Sequence, residues 1–241
     1  MDWRDQGPLL SVRPHGETSV IAEVFTAEHG RHVGVIRGGT SRKIAPLLQP
    51  GTQLDVAWRA RLEDHIGTFT VEPLKSRVGQ IIGDRLALAA LASLCALLGR
   101  ALPEREPHPG LYRASVAVLD ALGEVQDWPV AYLLWEKALL ADLGFGLDLE
   151  KCAVTGTVDG LVYVSPRTGR AVSEQGAGAY ADRLLPLPPA LSGLGGGTAK
   201  DVVLGLSTTG HFLARALPEA TASGELPAAR QRFAALLAKA D

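Results

Sequence analysis

Ser19-Val-Ile-Ala-Glu-Val-Phe-Thr-Ala-Glu-His-Gly-Arg-His-Val-Gly-Val-Ile-Arg-Gly-Gly-Thr-Ser-Arg-Lys43 reads as strand, turn, strand and a basic, glycine-rich exit. Two β-like apolar runs, Ser19 to Phe25 and His32 to Ile36, are separated by Glu28-His-Gly30, where glycine permits a tight reversal. Similar runs recur at Leu9 to Arg13, Gln53 to Ala60 and Ile66 to Val71, with turn chemistry at Pro14-His-Gly16, Gly38-Gly-Thr-Ser41 and Pro50-Gly51. Five short strands cannot leave two long edges bare. Closure into a small OB-type barrel is the economical architecture, with an SH3-like barrel as the alternative.

The same stretch carries charge. From His29 to Lys43 there are four permanent cations, Arg31, Arg37, Arg42 and Lys43, and no acid. In Leu54-Asp-Val-Ala-Trp-Arg-Ala-Arg61, alternation puts Leu54, Val56 and Trp58 on one face and Arg59 and Arg61 on the other. Trp58 is therefore assigned to the core and the arginines to the solvated side. Surface cations commonly serve solubility, but from Arg31 to Arg61 six are accompanied by one acid, Asp55, in a chain of net charge -2. The asymmetry marks a candidate phosphate-binding patch on a chain that is not a polycation.

After Pro73 the period becomes helical. The longest apolar run, Leu86 to Leu98, would extend only about 20 Å as a helix, short of a bilayer's ~30 Å, so a buried helix is expected. Further helices are expected near Leu111 to Leu122, Pro129 to Leu143, Ala199 to Ala216 and Leu226 to Lys239. The fold class is thus α+β: a barrel over residues 1–76, a helical domain over 77–241, and an irregular insertion at 145–192. Met1 to Pro8 lacks the basic and apolar pattern of a leader, so a cytoplasmic protein without membrane contact is expected. Two cysteines, Cys95 and Cys152, make no disulfide framework.

Chemistry-bearing motifs are few. Gly193 to Lys200 lacks the Gly-Lys-Ser/Thr ending of a phosphate loop and reads as a linker. His29 and His32 flank a glycine turn without further ligands nearby and read as polar strand-end residues. Ser207 and His211 belong to no nucleophile constellation, so no enzyme is expected. Cys152-Ala-Val-Thr-Gly156 would be half of a zinc knuckle if Thr155 were cysteine.

The ordered set of His15-Gly-Glu17, Val24-Phe-Thr-Ala-Glu-His-Gly-Arg31, Gly38-Gly with Ser41-Arg-Lys43, Leu48-Gln-Pro50, Pro107-His-Pro109, Trp135-Glu136 and Leu143-Gly-Phe-Gly146 resembles the RecO family of bacterial recombination mediators over nearly the whole chain. The resemblance implies an OB-fold, a helical domain and, in many members, a four-cysteine zinc insertion. Here Thr155 stands at the second cysteine position and Val172-Ser-Glu-Gln-Gly176 carries no thiol, so neither zinc nor another cofactor is expected. It further implies binding of single- and double-stranded DNA, strand annealing, and loading of RecA with RecR on strands coated by SSB, in a pathway shared with RecF.

On this reading Arg31, Arg37, Arg42, Lys43, Arg59 and Arg61 bind DNA. Lys137, Arg215, Arg230 and Arg232, near Leu134, Trp135, Phe212 and Phe233, receive the acidic SSB tail. The competing expectation is a barrel that binds only an acidic protein partner.

Overall fold

The computed structural model describes residues 1–62, 64–193, 197–217 and 225–240. The chain divides into two compact units, Met1–Glu124 with Pro227–Arg230, and Val125–Leu226 with Gln231–Asp241. The first unit joins the barrel to the first three helices, so close packing continues past the 76/77 change from strand to helix.

The barrel strands are β1 (Asp2–His15), β2 (Ser19–Thr26), β3 (Gly30–Ile36), β4 (Gln53–Arg59) and β5 (Thr68–Lys75), closed in the order β1-β2-β3-β5-β4. All neighbours are antiparallel except β3 and β5, which meet in parallel at Val35 and Thr68. This is the OB-type arrangement. β1 is longer than expected because its first half, Asp2 to Pro8, pairs with β4, while Leu9 to His15 pairs with β2. Inward-facing Leu9, Val20, Ala22, Val24, Ile36, Leu54, Val56, Trp58 and Phe69 fill the barrel. At Gly34 a Cβ would lie 2.6 Å from the Phe69 ring, so glycine there lets that ring enter the interior.

α1 (Arg77–Ile81), α2 (Arg85–Ala101) and α3 (Pro109–Ala121) follow. Asp84 caps α2 by accepting from the Leu86 and Ala87 amides, which supplies partners for two otherwise unpaired N–H groups. The helix buries Ala87, Leu91, Leu94, Cys95, Leu98 and Ala101. Burial pushes the Cys95 thiol up to about 12, consistent with its part as a small core residue that donates to the Leu9 carbonyl at 3.8 Å. Buried Arg77 ties the helices to the barrel, donating to Asp120 at 2.7 Å, to the Gly51 carbonyl at 3.0 Å and to Gln53 at 3.1 Å.

In the second unit α4 (Trp128–Asp142) packs against α7 (Ala199–Ala216). The Thr209 hydroxyl donates to the buried Glu136 carboxylate, and Gly205 gives room to Leu133. The insertion is more regular than its sequence suggests: β6 (Leu161–Val164), β7 (Ala171–Ser173), α5 (Glu174–Ala177), β8 (Leu185–Pro186) and α6 (Pro189–Ser192), with the strands ordered β7-β6-β8. α8 (Ala228–Leu237) contributes Phe233, which packs on Tyr132 with ring centroids 4.5 Å apart. Part of the expected linker, residues 194–196, lies outside the described residues. Among the described residues no helix is long and apolar enough to cross a membrane.

Candidate nucleic-acid interface

The connection from β3 to β4 is a tight basic loop. Gly38 adopts φ +68°, Ser41 N–H donates back to the Gly38 carbonyl at 3.0 Å, and Thr40 N–H donates to Thr18 in the β1–β2 turn at 3.2 Å. Arg37, Arg42 and Lys43 are exposed on this loop and have no ion-pair or hydrogen-bond partner among the described residues. The Val35 amide donates to Gly67 at 3.1 Å, bringing the end of β3 beside the β4–β5 connection that carries exposed Arg61. Arg59 faces outward next to Thr68 and, among the described residues, pairs with Asp2 at 3.6 Å between two largely exposed side chains. Such an exposed pair contributes little to stability.

Arg31 requires a correction. It sits at the start of β3 with 16% of its side chain exposed and pairs with Glu23 on β2; its Nε donates to the Leu102 carbonyl at 2.6 Å. Glu104 approaches at 3.9 Å. Its charge is neutralised inside the first unit, because Glu23 on the neighbouring hairpin strand and Glu104, distant in sequence, converge on it. The other five expected cations are exposed, on the β3–β4 loop, at the end of β4 and in the β4–β5 connection.

Sequence reasoning missed an aromatic cluster beside them. Trp3 is half-buried, stacks on His29 with ring centroids 4.1 Å apart, and meets His32 edge-on at 5.0 Å. Trp58 is 3% exposed, as expected, and donates its indole N–H to the Ile66 carbonyl at 3.0 Å. A groove of about 660 Å³ is lined by Asp2, Trp3, Arg4, Trp58 and Arg59 among others. His29, just before β3, is the polar strand-end residue expected, but buried His32 is not. His29 faces Asp5 at 3.3 Å, whereas burial, reinforced by the Arg105 charge, pushes His32 down to about 4, leaving it neutral at pH 7. The available signal was a tryptophan at position 3, in a segment without apolar alternation.

The expected tail-binding cations have unlike surroundings. Lys137 is half-buried, its ammonium lies 3.4 Å from the Leu191 carbonyl, and burial pulls its pKa down. It lines a cavity of about 880 Å³ with Asp148, Glu150 and Asp159, an acidic wall unsuited to an acidic peptide. Arg215 is exposed and donates to the Pro166 carbonyl at 2.7 Å. Arg230 is only 5% exposed, which corrects its assignment to a surface receptor; two residues along the same helix, Arg232 is exposed.

In the insertion, two turns converge on Cys152. Its sulfur accepts from the amides of Val154 and Thr155 at 3.4 Å and of Ser173 at 3.2 Å, and from the Ser173 hydroxyl at 3.3 Å. The Thr155 and Ser173 hydroxyls are 3.5 Å apart. Burial raises the thiol, but the hydrogen bonds from Ser173 and Thr155 outweigh it and bring it down to about 6. One thiol with two hydroxyls does not fit a structural zinc ion, which takes about four sulfur or imidazole donors. Among the described residues no group of three metal-ligating side chains occurs.

Two family models divide the chain: Recombination protein O N terminal matches residues 1–77, and Recombination protein O C terminal matches residues 82–223. The chain belongs to the RecO family. It is 60% identical to the DNA repair protein RecO of Roseobacter denitrificans over 233 residues, covering 97% of each chain. It is also 60% identical over 239 residues to that of Cereibacter sphaeroides strain ATCC 17025, covering 99% of each, and 56% identical to that of a Ruegeria species over the same length. RecO membership gives the protein a role in DNA repair and recombination.

Proposed function

We propose that the barrel binds single- and double-stranded DNA through Arg37, Arg42, Lys43, Arg59 and Arg61 and so promotes annealing of complementary strands. The observation that carries this reading is the set of exposed cations on the rim, four of them without a partner among the described residues. Phosphate neutralisation releases condensed counterions, so binding is salt-dependent and nearly indifferent to sequence. Screening phosphates without covering base edges leaves two strands free to pair. The protein acts by binding and handing over strands, in the cytoplasm, with RecR and RecF as pathway partners and RecA loading on SSB-coated strands as the outcome. For the acidic SSB tail, exposed Arg215 and Arg232 are the candidate cations.

The test is a titration of single-stranded oligonucleotide at several salt concentrations. Replacing Arg42 and Lys43 with alanine reduces the slope of log affinity against log salt by about one to two units, at ~0.7 to 0.9 per contact. An unchanged slope in the folded double variant removes this surface from DNA and favours an acidic protein partner.

A further inference from the structure

A small pocket opens where Trp3, Glu28, His29, His32, Trp58 and Arg105 meet, with a volume of about 280 Å³. That is below the ~300–1,000 Å³ of sites that enclose whole small molecules, and suits one flat ring system. Its walls are aromatic: Trp3 lies parallel to His29 within 10°, and Trp3 and Trp58 present rings to His32 at 5.0 and 4.9 Å. Trp3 is stacked on His29 and lies near-parallel to Trp58 at 5.8 Å, but it is half-buried rather than buried, and the open part of its π surface suits stacking with a nucleobase, whatever its identity.

His32 supplies a second, independent observation. It is 4% exposed, lines the pocket, and neither ring nitrogen has a hydrogen-bond partner among the described residues. A neutral imidazole has one donor and one acceptor, and leaving both unmade in a buried position is unfavourable unless a ligand satisfies them. A base edge offers the complementary acceptor and donor. The charges sort the rest of a nucleotide: Asp2 and Glu28 line the pocket and disfavour a phosphate within it, while Arg59 lies along the adjoining groove that shares Trp3.

We propose that this pocket receives a single unpaired nucleobase from a strand whose phosphates run along the basic rim. The proposal rests on the reading of the barrel as a DNA-binding surface. Arg105, which lines the pocket in a left-handed backbone conformation with φ 65° and donates to the His65 carbonyl at 3.0 Å, places a further cation beside the entering nucleotide.

The test compares a thymidine oligonucleotide with a chain of equal length and charge made entirely of abasic sites, using the full-length protein. The wild type is expected to prefer the base-bearing chain about tenfold, the lower end of base–aromatic stacking, with quenching of tryptophan fluorescence. Trp3→Ala brings the preference close to unity and leaves the salt slope unchanged. His32→Leu removes the unpaired nitrogens; it keeps or raises the melting temperature while lowering the preference several-fold, a combination that a purely structural histidine does not produce. Equal wild-type affinity for both chains overturns the pocket and leaves the basic rim standing. Retained preference in a folded Trp3→Ala protein also overturns it. Absence of salt-dependent binding to either chain overturns the DNA reading itself. If Trp3→Ala does not fold, the two-oligonucleotide comparison on wild type and on Trp3→Phe, which keeps a stacking face, decides the matter.

Discussion

Arg31→Ala is expected to destabilise the first unit without removing a phosphate contact. The guanidinium pairs with Glu23, equally shielded at 16% exposure, and donates to the Leu102 carbonyl at 2.6 Å. Hydrogen bonds to charged groups contribute ~1.5–3 kcal/mol each, and breaking a fully buried pair costs ~3–5 kcal/mol. Residual exposure of both partners moves the expected loss to the lower end of that range, about 3 kcal/mol. For a protein of this size, that lowers the melting temperature by about 6–12 °C. Since the chain has two compact units, the quantity to follow is the transition of the first, monitored by urea and heat with near-ultraviolet signals. Arg31→Lys keeps the charge but loses the planar fork, and is expected to recover part of the stability. At a temperature where the alanine variant is folded, the salt slope for DNA equals that of the wild type. A melting temperature within about 2 °C of wild type, together with a slope lower by ~0.7–0.9, would refute the internal role and return Arg31 to the DNA surface.

Three further outcomes follow from the packing. Gly30 adopts φ +63°, and a Cβ there would lie 2.0 Å from the Glu106 carbonyl oxygen; Gly30→Ala combines left-handed strain with a backbone clash and is expected to cost about 2–4 kcal/mol, so an unchanged urea midpoint would contradict the observed packing. The Cys152 thiol lies at about 6 in the folded protein, below the ordinary ~8.5, so its contribution to stability is fully present above pH 8.5 and disappears as pH falls through 6. Cys152→Ala should therefore flatten the rise of melting temperature between pH 6 and 8.5, and parallel pH profiles would count against a hydrogen-bonded thiolate. Metal analysis with chelator-treated melts is expected to show no dependence on zinc, because Cys152, Thr155 and Ser173, which converge in the insertion, supply a single thiol; stoichiometric zinc whose removal unfolds the insertion would overturn that view.

Local sequence determined the elements that a short window can specify. Period-two alternation placed Leu54, Val56 and Trp58 inside β4, and helical periodicity placed α7 at Ala199–Ala216, because each pattern repeats within a few residues of itself. The exposure of Arg37, Arg42, Lys43 and Arg61 was legible because side chains on a loop need only solvent. Tertiary structure alone decided the rest. The first half of β1 carries inward-facing Trp3, Asp5 and Gly7, an apolar pattern too broken to announce a strand; pairing with β4 creates it. Arg31 and Arg230 have the same charge as Arg42, yet the fold removes both from the surface. His32 became a pocket wall for the same reason, since its neighbours Trp3 and Trp58 arrive from other strands. Periodicity is a property of the chain, whereas burial, charge neutralisation and cavities depend on residues that only folding brings together.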